Sequence, residues 1–307
     1  QRAMRDEGLL PVAEPFTNLL TQGMVLAESY YLDSAEGRRE WINPADVEAR
    51  RDTKGKILSA RTRDGREVVY GGIGTMSKSK NNGVDPQVMI DQYGADTARF
   101  YVIFASPPTN TLEWSDESVE GSYRFLKRLW SYCANFAATA GGAVIAPSLQ
   151  SATRFEIHSV LKQANYDLQK HQLNTVASAA MKILNALERL PAARQALTEE
   201  GLKILLRVLA PITPHICHHL WRALGFGEDI MNAPWPEPDP AALERDEIDY
   251  VVQVNGRKKG SLRAPKSLDA GALEEFARAS ELVRKAVAGQ AIRKVIIVPG
   301  RLVSIVV

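Results

Sequence analysis

The sequence predicts a multidomain α+β protein. It divides into a mixed opening segment carrying a small β-rich insert, an antiparallel helix bundle, and a small ββαββ unit at the end. Three observations carry that prediction. The chain has 307 residues, more than one ordinary domain needs. Helical periodicity takes over from short β-runs after Ser115 and yields to strand alternation at Ile248. Between the last two regions lies Pro234-Trp235-Pro236-Glu237-Pro238-Asp239-Pro240, too proline-rich for either period and read as a linker. With 45% hydrophobic and 24% charged residues, the composition is that of a folded chain. No apolar run approaches the roughly eighteen residues of a membrane span. Two cysteines, Cys133 and Cys217, make no disulfide framework, and no signal peptide is present, so a cytoplasmic protein is expected. The opening at Gln1 suggests a piece of something longer.

In chain order, residues 2–20 read as an amphipathic helix interrupted near Pro11 and Pro15, and Gly23–Ala27 as a short buried strand. From 30 to 70, short β-runs are punctuated by Asp52-Thr53-Lys54-Gly55 and Asp64-Gly65, the pattern of a hairpin-rich module inserted before a glycine-rich loop, Gly71–Gly83. Asp85-Pro86 is an N-cap and first position for a helix running to Phe104, which Pro107-Pro108 ends. Helical segments 116–140, 151–170, 172–190 and 198–224 follow, separated by Gly141-Gly142, His171, Pro191 and Gly225. Tyr123, Leu126, Trp130, Ala134 and Ala137 form the apolar stripe of the first. The end unit alternates at Ile248, Tyr250, Val252 and Val254, turns at Asn255-Gly256 into a strand 258–263, continues with a helix over 270–288, and closes with strands 293–298 and 302–307 around Pro299-Gly300.

Charge is unevenly spread. Residues 236–247 carry five acidic side chains against one basic, and 248–307 carry eleven basic against five acidic. A basic unit behind an acidic connector fits a phosphate-rich partner as well as an ordinary solvated surface. The insert's nine basic residues from Arg38 to Arg66 are nearly matched by acids.

Within the glycine-rich loop, Met76-Ser77-Lys78-Ser79-Lys80 interleaves two lysines with hydroxyls. Such a loop offers ammonium, hydroxyl and backbone N–H donors to a polyphosphate, although the same residues suit a solvated turn. It is neither a Walker loop nor a GxGxxG fingerprint. Pro214-His215-Ile216-Cys217-His218-His219 is the one cluster resembling metal ligands. It lacks a CxxC partner or a second ligand pair, and no metal site is expected.

Met76-Ser77-Lys78-Ser79 matches four of the five residues of the KMSKS motif, and Tyr93-Gly94-Ala95-Asp96-Thr97-Ala98-Arg99 also fits. On these residues the chain resembles the class I aminoacyl-tRNA synthetases. Leu112–Ser115, Val119-Glu120-Gly121, Arg124–Trp130, Pro214-His215-Ile216, Ala233–Pro236 and Val254–Arg257 look like the bacterial leucyl branch of that class. Isoleucyl and valyl relatives usually carry Leu-Gly-Asn where this chain has Lys80-Asn81-Asn82. The resemblance implies that 1–29 and 71–112 are the end of a Rossmann-type catalytic domain, 30–70 a leucine-specific insertion, 113–235 an anticodon-binding-type bundle, 236–247 a linker, and 248–307 a tRNA-binding domain. It also implies leucine activation by ATP with Mg²⁺ and transfer to tRNA(Leu). Lys78 is then the catalytic contact to the departing phosphates. Met76, Ser77, Lys78 and Ser79 would bind ATP, and Arg257, Lys258, Lys259, Arg293, Lys294 and Arg301 would meet tRNA.

One departure is Thr75, where the motif has its first lysine; Lys80 is the nearest candidate to compensate. None of the five histidines stands in a His-Ile-Gly-His element, so the chain alone is expected not to activate leucine. No tightly bound cofactor, no membrane association and a monomer are expected. The rivals are a freestanding tRNA-binding module, and an isoleucyl, valyl or methionyl relative, against which the residues from Leu112 to Trp130 argue.

Overall fold

The computed structural model describes residues 1–33, 37–139, 141, 144–191, 194–244, 247–287 and 289–307. Expectations that fall on Gly142, on linker residues 245–246 and on helix residue Ala288 lie outside the described residues. Two compact units divide the chain, 1–237 and 238–307.

The first unit opens with a short helix, α1 (Arg2–Asp6), where a helix to residue 20 was expected. Gly8, at φ +72°, ends it, and Pro11 and Pro15 prevent a restart. Leu9, Phe16 and Leu19 lie exposed in the irregular stretch that follows. Strand β1 (Val25–Asp33) is nine residues long rather than a short buried run, and Met24 is exposed. The strand starts where Gly23 presses against the backbone of Asn110; a Cβ there would sit 2.0 Å from the Asn110 carbonyl oxygen.

β1 forms a hairpin with β2 (Arg39–Ile42), and a second hairpin pairs β3 (Val47–Arg51) with β4 (Ile57–Thr62). Its turn is set by Asp52, whose Oδ1 accepts the N–H groups of Lys54 (2.8 Å) and Lys56 (2.9 Å), and by Gly55 at φ +81°. Gly65, at φ +90°, makes the next turn. Tyr30, Ile42, Ala60 and Val68 form the small core of this region.

β5 (Val69–Thr75) then runs antiparallel to β1, so the first five residues of the expected loop are strand. Glycine permits this. A Cβ on Gly71 would lie 2.8 Å from Ser29 Oγ, and Gly72, at φ +86°, sits opposite the register shift between Ser29 and Tyr30. The irregular loop therefore shrinks to residues 76–85 around one 3-10 turn.

The expected helix from Pro86 is broken in two, α2 (Pro86–Tyr93) and α3 (Ala95–Phe104), because Gly94 takes φ +84°. β6 (Leu112–Glu113) adds to β1 in parallel. The bundle follows as α4 (Asp116–Ala138), α5 (Pro147–Gln169), α6 (Leu173–Glu188), α7 (Ala196–Leu209) and α8 (Pro214–Ala223). Ser115 caps α4 by accepting the Ser118 N–H (3.2 Å). The single helix expected over 198–224 is two, since Pro211 and Pro214 lack the N–H groups a continuous helix needs.

The stripe expected on α4 is displaced. Val119, Phe125, Leu126, Leu129, Cys133 and Phe136 are buried, whereas Trp130, Ala134 and Ala137 are exposed. Leu126 alone belongs to both sets. The proline-rich segment is irregular as far as Asp239, where Pro240 opens a short helix, and through Pro236 it lies on the bundle. Trp235 Nε1 donates to Asn165 Oδ1 (2.9 Å), and Asn165 Nδ2 donates to the Pro236 carbonyl (3.1 Å).

The second unit begins with α9 (Pro240–Leu243). β7 (Glu247–Val254) and β8 (Arg257–Pro265) form a hairpin across Asn255 and Gly256, both with positive φ as a type I′ turn requires. The one expected helix is again two, α10 (Ala270–Ala279) and α11 (Glu281–Val287), with Ser280 Oγ accepting the Val283 N–H (3.3 Å) at the break. β9 (Lys294–Val298) and β10 (Leu302–Val306) complete a sheet of order β8-β7-β10-β9, with β10 parallel to β7. Tyr250, Val252, Val254, Val303 and Ile305 pack in one core with Leu273 of α10 and Val283 of α11.

Candidate functional site

β1 and β5 hold the loop. Beyond Thr75 the Met76 N–H donates to the Val25 carbonyl (3.4 Å), and the Ser77 N–H donates to Asn82 Oδ1 (2.8 Å). Residues Lys78–Lys80 make one 3-10 turn, capped by Ser77 Oγ, which accepts the Lys80 N–H (3.2 Å) and lies 3.2 Å from Ser79 Oγ. Asn81 closes the turn in the left-handed region, φ +48°, a conformation asparagine tolerates better than most side chains.

Asn82 is buried and reaches back toward the Ala27 and Thr75 carbonyls, both at 3.5 Å. Met76 and Ser77 are half-buried, while Lys78 and Ser79 are exposed. Among the described residues no acceptor engages the Lys78 ammonium. The arrangement is a fixed backbone presenting one uncommitted cation.

The β-rich insert touches this turn. Asn81 Nδ2 donates to the Trp41 carbonyl (3.4 Å), Asn43 Nδ2 lies 3.5 Å from Asn81 Oδ1, and Lys80 Nζ sits 5.7 Å from the centre of the Trp41 ring. Lys80 Nζ also lies 3.5 Å from where a Cβ on Gly74 would be, which puts its charge beside the residue preceding Thr75.

Behind the loop, α3 is tied to α8. Asp96 Oδ2 accepts the Ile216 N–H (2.7 Å), and its Oδ1 lies 2.8 Å from His215 Nδ1. Arg99 donates to the carbonyls of Ile212 (2.9 Å) and Pro211 (3.1 Å). Thus the motif Gly94–Arg99 and the cluster Pro214-His215-Ile216 are two halves of one junction. His215 and His219 face different partners, because His219 stacks on Trp130 with ring centres 5.0 Å apart. Among the described residues no three His, Cys, Asp or Glu side chains form a metal-binding group. On α4, Arg124 pairs with Glu120, Arg128 with Glu188 and Asn185, and Lys127 lies over the Tyr123 ring.

The six basic residues of the second unit expected to meet tRNA are all exposed but do not converge on one point. Since Val252 and Val254 face the helices, alternation puts Gln253 on the opposite, open face of the sheet, with Lys258 paired across from it. Lys294 pairs with Val306 on the same open face, and Arg301 lines a shallow hollow there, about 310 Å³, with Val251, Gln253, Val298 and Leu302. Lys259 occupies the irregularity between Val252 and Gln253, Arg257 falls opposite Val254, and Arg293 precedes β9.

Comparison with known proteins gives two family matches. The model for tRNA synthetases class I (I, L, M and V) matches residues 69–115, and the model for the anticodon-binding domain of tRNA ligase matches residues 153–275. A leucine–tRNA ligase of Aromatoleum aromaticum is 58% identical over 100% of this chain and 37% of its own length. That of Azoarcus sp. is 55% identical over the same shares, 100% and 37%. A LeuRS of Agrobacterium radiobacter K84, solved as a ternary complex with tRNA and LeuAMS, superposes with a TM-score of 0.64 at 22% identity, covering 99% of this chain and 35% of its own, a likeness of fold.

The matches are thus to a class I tRNA synthetase segment around the lysine loop and to an anticodon-binding domain whose match begins in α5 and continues past residue 238 into the second unit. The relatives named are leucine–tRNA ligases, which the chain resembles along its whole length while spanning a little over a third of theirs.

Reading the sequence missed Asn82, Trp41 and the Asp96–His215 junction. The substitution of Asn81 for the glycine usual in isoleucyl and valyl relatives was the one available signal that the turn needs a positive φ.

Proposed function

We propose that the chain is the C-terminal part of a leucine–tRNA ligase and supplies the complete enzyme with its ATP-phosphate loop and its tRNA-binding domains. In the complete enzyme a leucine carboxylate oxygen attacks the α-phosphorus of ATP, the bond to pyrophosphate breaks, and leucyl-adenylate forms. The leucyl group then passes to the 3′-terminal adenosine of tRNA(Leu). Mg²⁺ enters with the nucleotide and shares its charge. This chain's part is the Lys78 ammonium, aimed at the β,γ-phosphates as negative charge accumulates on them, which favours the transition state over bound ATP. Met76, Ser77 and Ser79 shape the loop, and Lys80, folded beside Gly74, stands in for the lysine absent at Thr75.

Residues 1–29 and 71–112 are assigned to the end of the catalytic domain, 30–70 to the leucine-specific insertion, 113–235 to the anticodon-binding-type bundle, 236–247 to the connector and 248–307 to tRNA. Within the last, Lys258, Lys294 and Arg301 on the open sheet face are the first phosphate contacts to consider, with Arg257, Lys259 and Arg293 at its margins.

The observation that carries the reading is a lysine with no acceptor among the described residues, on a loop whose backbone is held, in a chain similar along its whole length to leucine–tRNA ligases. The test is ATP–pyrophosphate exchange by the complete ligase. Lys78→Ala is expected to slow exchange by roughly 10²–10³-fold with leucine affinity little changed. An unaltered rate removes the assignment.

A further inference from the structure

We propose that Asn82 is a positioning residue for Lys78: its carboxamide is the tie that sets the pose of the loop, and the insert's contacts are secondary. The proposal rests on the role given to Lys78 above, but the tie itself has a readout of its own.

Asn82 Oδ1 accepts the N–H of Ser77, five residues earlier, at 2.8 Å, closing residues 77–82 into a ring with Lys78 on its outer side. Its Nδ2 faces the carbonyls of Ala27 on β1 and Thr75 on β5, so one side chain connects the loop to both strands beneath it. Asn82 is 1% exposed, which leaves these groups no water as an alternative partner. Only a carboxamide supplies an acceptor and donors together in this volume.

The 2.8 Å Ser77–Asn82 bond is the shortest side-chain tie of the lysine turn, and the Asn82 Nδ2 contacts at 3.5 Å and the remaining restraints are all longer. The Ser77 hydroxyl cap spans 3.2 Å at the loop's half-exposed base, the Asn81–Trp41 contact is 3.4 Å and exposed, and Asn43 approaches Asn81 at 3.5 Å. Without the tie, the Ser77 N–H loses its partner and the base of the lysine turn is free to move. Lys78 projects from that base, so its ammonium would spread over many positions.

The experiment compares the parent with Asn82→Ala and Asn82→Asp in two settings. In the 307-residue chain, brief trypsin digestion is followed by mass spectrometry at the bonds after Lys78 and Lys80, with cleavage after Lys266 in the second unit as internal reference. Asn82→Ala is expected to raise loop cleavage about tenfold, the factor that loss of one buried tie implies. Asn82→Asp keeps an oxygen for the Ser77 N–H and is expected to fall between the two. In the complete ligase, Asn82→Ala is expected to slow ATP–pyrophosphate exchange about tenfold at unchanged leucine KM. Added to Lys78→Ala, it should slow exchange no further, because the tie acts through that lysine.

Loop cleavage equal to the parent's in either variant overturns the proposal, as does a double variant slower by the product of the single effects. Should Asn82→Ala fail to fold, Asn82→Asp carries both measurements. A Lys78→Ala ligase with normal exchange would instead strike the proposed function, leaving digestion to judge the tie.

Discussion

Two turns of this chain look alike in sequence and differ in construction. Ser77–Asn82 and Asn255–Lys259 each join lysines to an asparagine in the left-handed region, at φ +48° for Asn81 and +47° for Asn255. The first is closed by the buried Asn82 and stands on two strands. The second is a hairpin end whose lysines sit on exposed strand positions, while Asn255 itself is held to β10 and its end, its N–H donating to the Ile305 carbonyl (2.9 Å) and its Oδ1 accepting the Val307 N–H (3.2 Å). The difference matches the two tasks proposed for them. Stabilising charge at one departing group demands a placed ammonium, whereas attraction to a polyanion tolerates mobile ones.

The largest test of that contrast is to exchange the losses. Lys78→Ala is expected to lower ATP–pyrophosphate exchange by roughly 10²–10³-fold, and the pair Lys258→Ala with Lys259→Ala to leave it nearly unchanged. The same pair should weaken tRNA binding and make the plot of log affinity against log salt shallower by about one to two units, whereas Lys78→Ala should leave that slope alone. Equal slopes for the parent and the hairpin pair would take the second unit's hairpin out of the interface.

A smaller effect separates loop from scaffold. Glu200, in the bundle, is half-buried; burial alone would raise its pKa, but hydrogen bonds from Arg154 and His158 outweigh it and hold the carboxyl below the ordinary glutamate value. A depressed carboxylate stabilises the fold above its unfolded pKa, and that contribution is lost as pH falls through the folded one. Glu200→Gln is therefore expected to cost about 2 kcal/mol at neutral pH in denaturant melts and to flatten the acid limb of the stability profile. Tryptic cleavage at Lys78 should stay as it was.

Cysteine chemistry gives a companion readout. Burial pushes the Cys133 thiol up to about 12 and raises that of Cys217. Neither should react with a thiol reagent until the bundle opens.

The smallest expected effect is at the two left-handed asparagines. Alanine at either should cost about 1 kcal/mol of local strain, but only Asn81→Ala should change exchange, since only that turn carries a placed group.

Much of this was legible before any coordinates. Asn255-Gly256 announced its hairpin, and Asp85-Pro86 and Ser115 their helix starts. The failures have particular causes. On α4 an aromatic-weighted stripe through Trp130 and the true face through Leu129 both satisfy helical spacing, and periodicity alone could not choose between them. Gly94 and the pair Pro211 and Pro214 are breakers whose weight was underestimated inside long apolar runs. Gly71 and Gly72 read as a loop because glycine usually does; close packing of Gly71 against Ser29 and the positive φ of Gly72 at the register shift keep them in the strand. Asn82 was invisible for a deeper reason: a buried polar residue's value lies in partners from Ala27, Thr75 and Ser77, which only the fold assembles.

Asp96 has a mechanical consequence. Its carboxylate accepts an N–H in the first turn of α8 and itself belongs to the first turn of α3, so with Arg99 it joins two helices more than a hundred residues apart in sequence. α3 begins thirteen residues after Asn82, separated from it by a single short helix. One carboxylate thus serves both helix starts, and Asp96→Asn should loosen that junction without dissolving either helix.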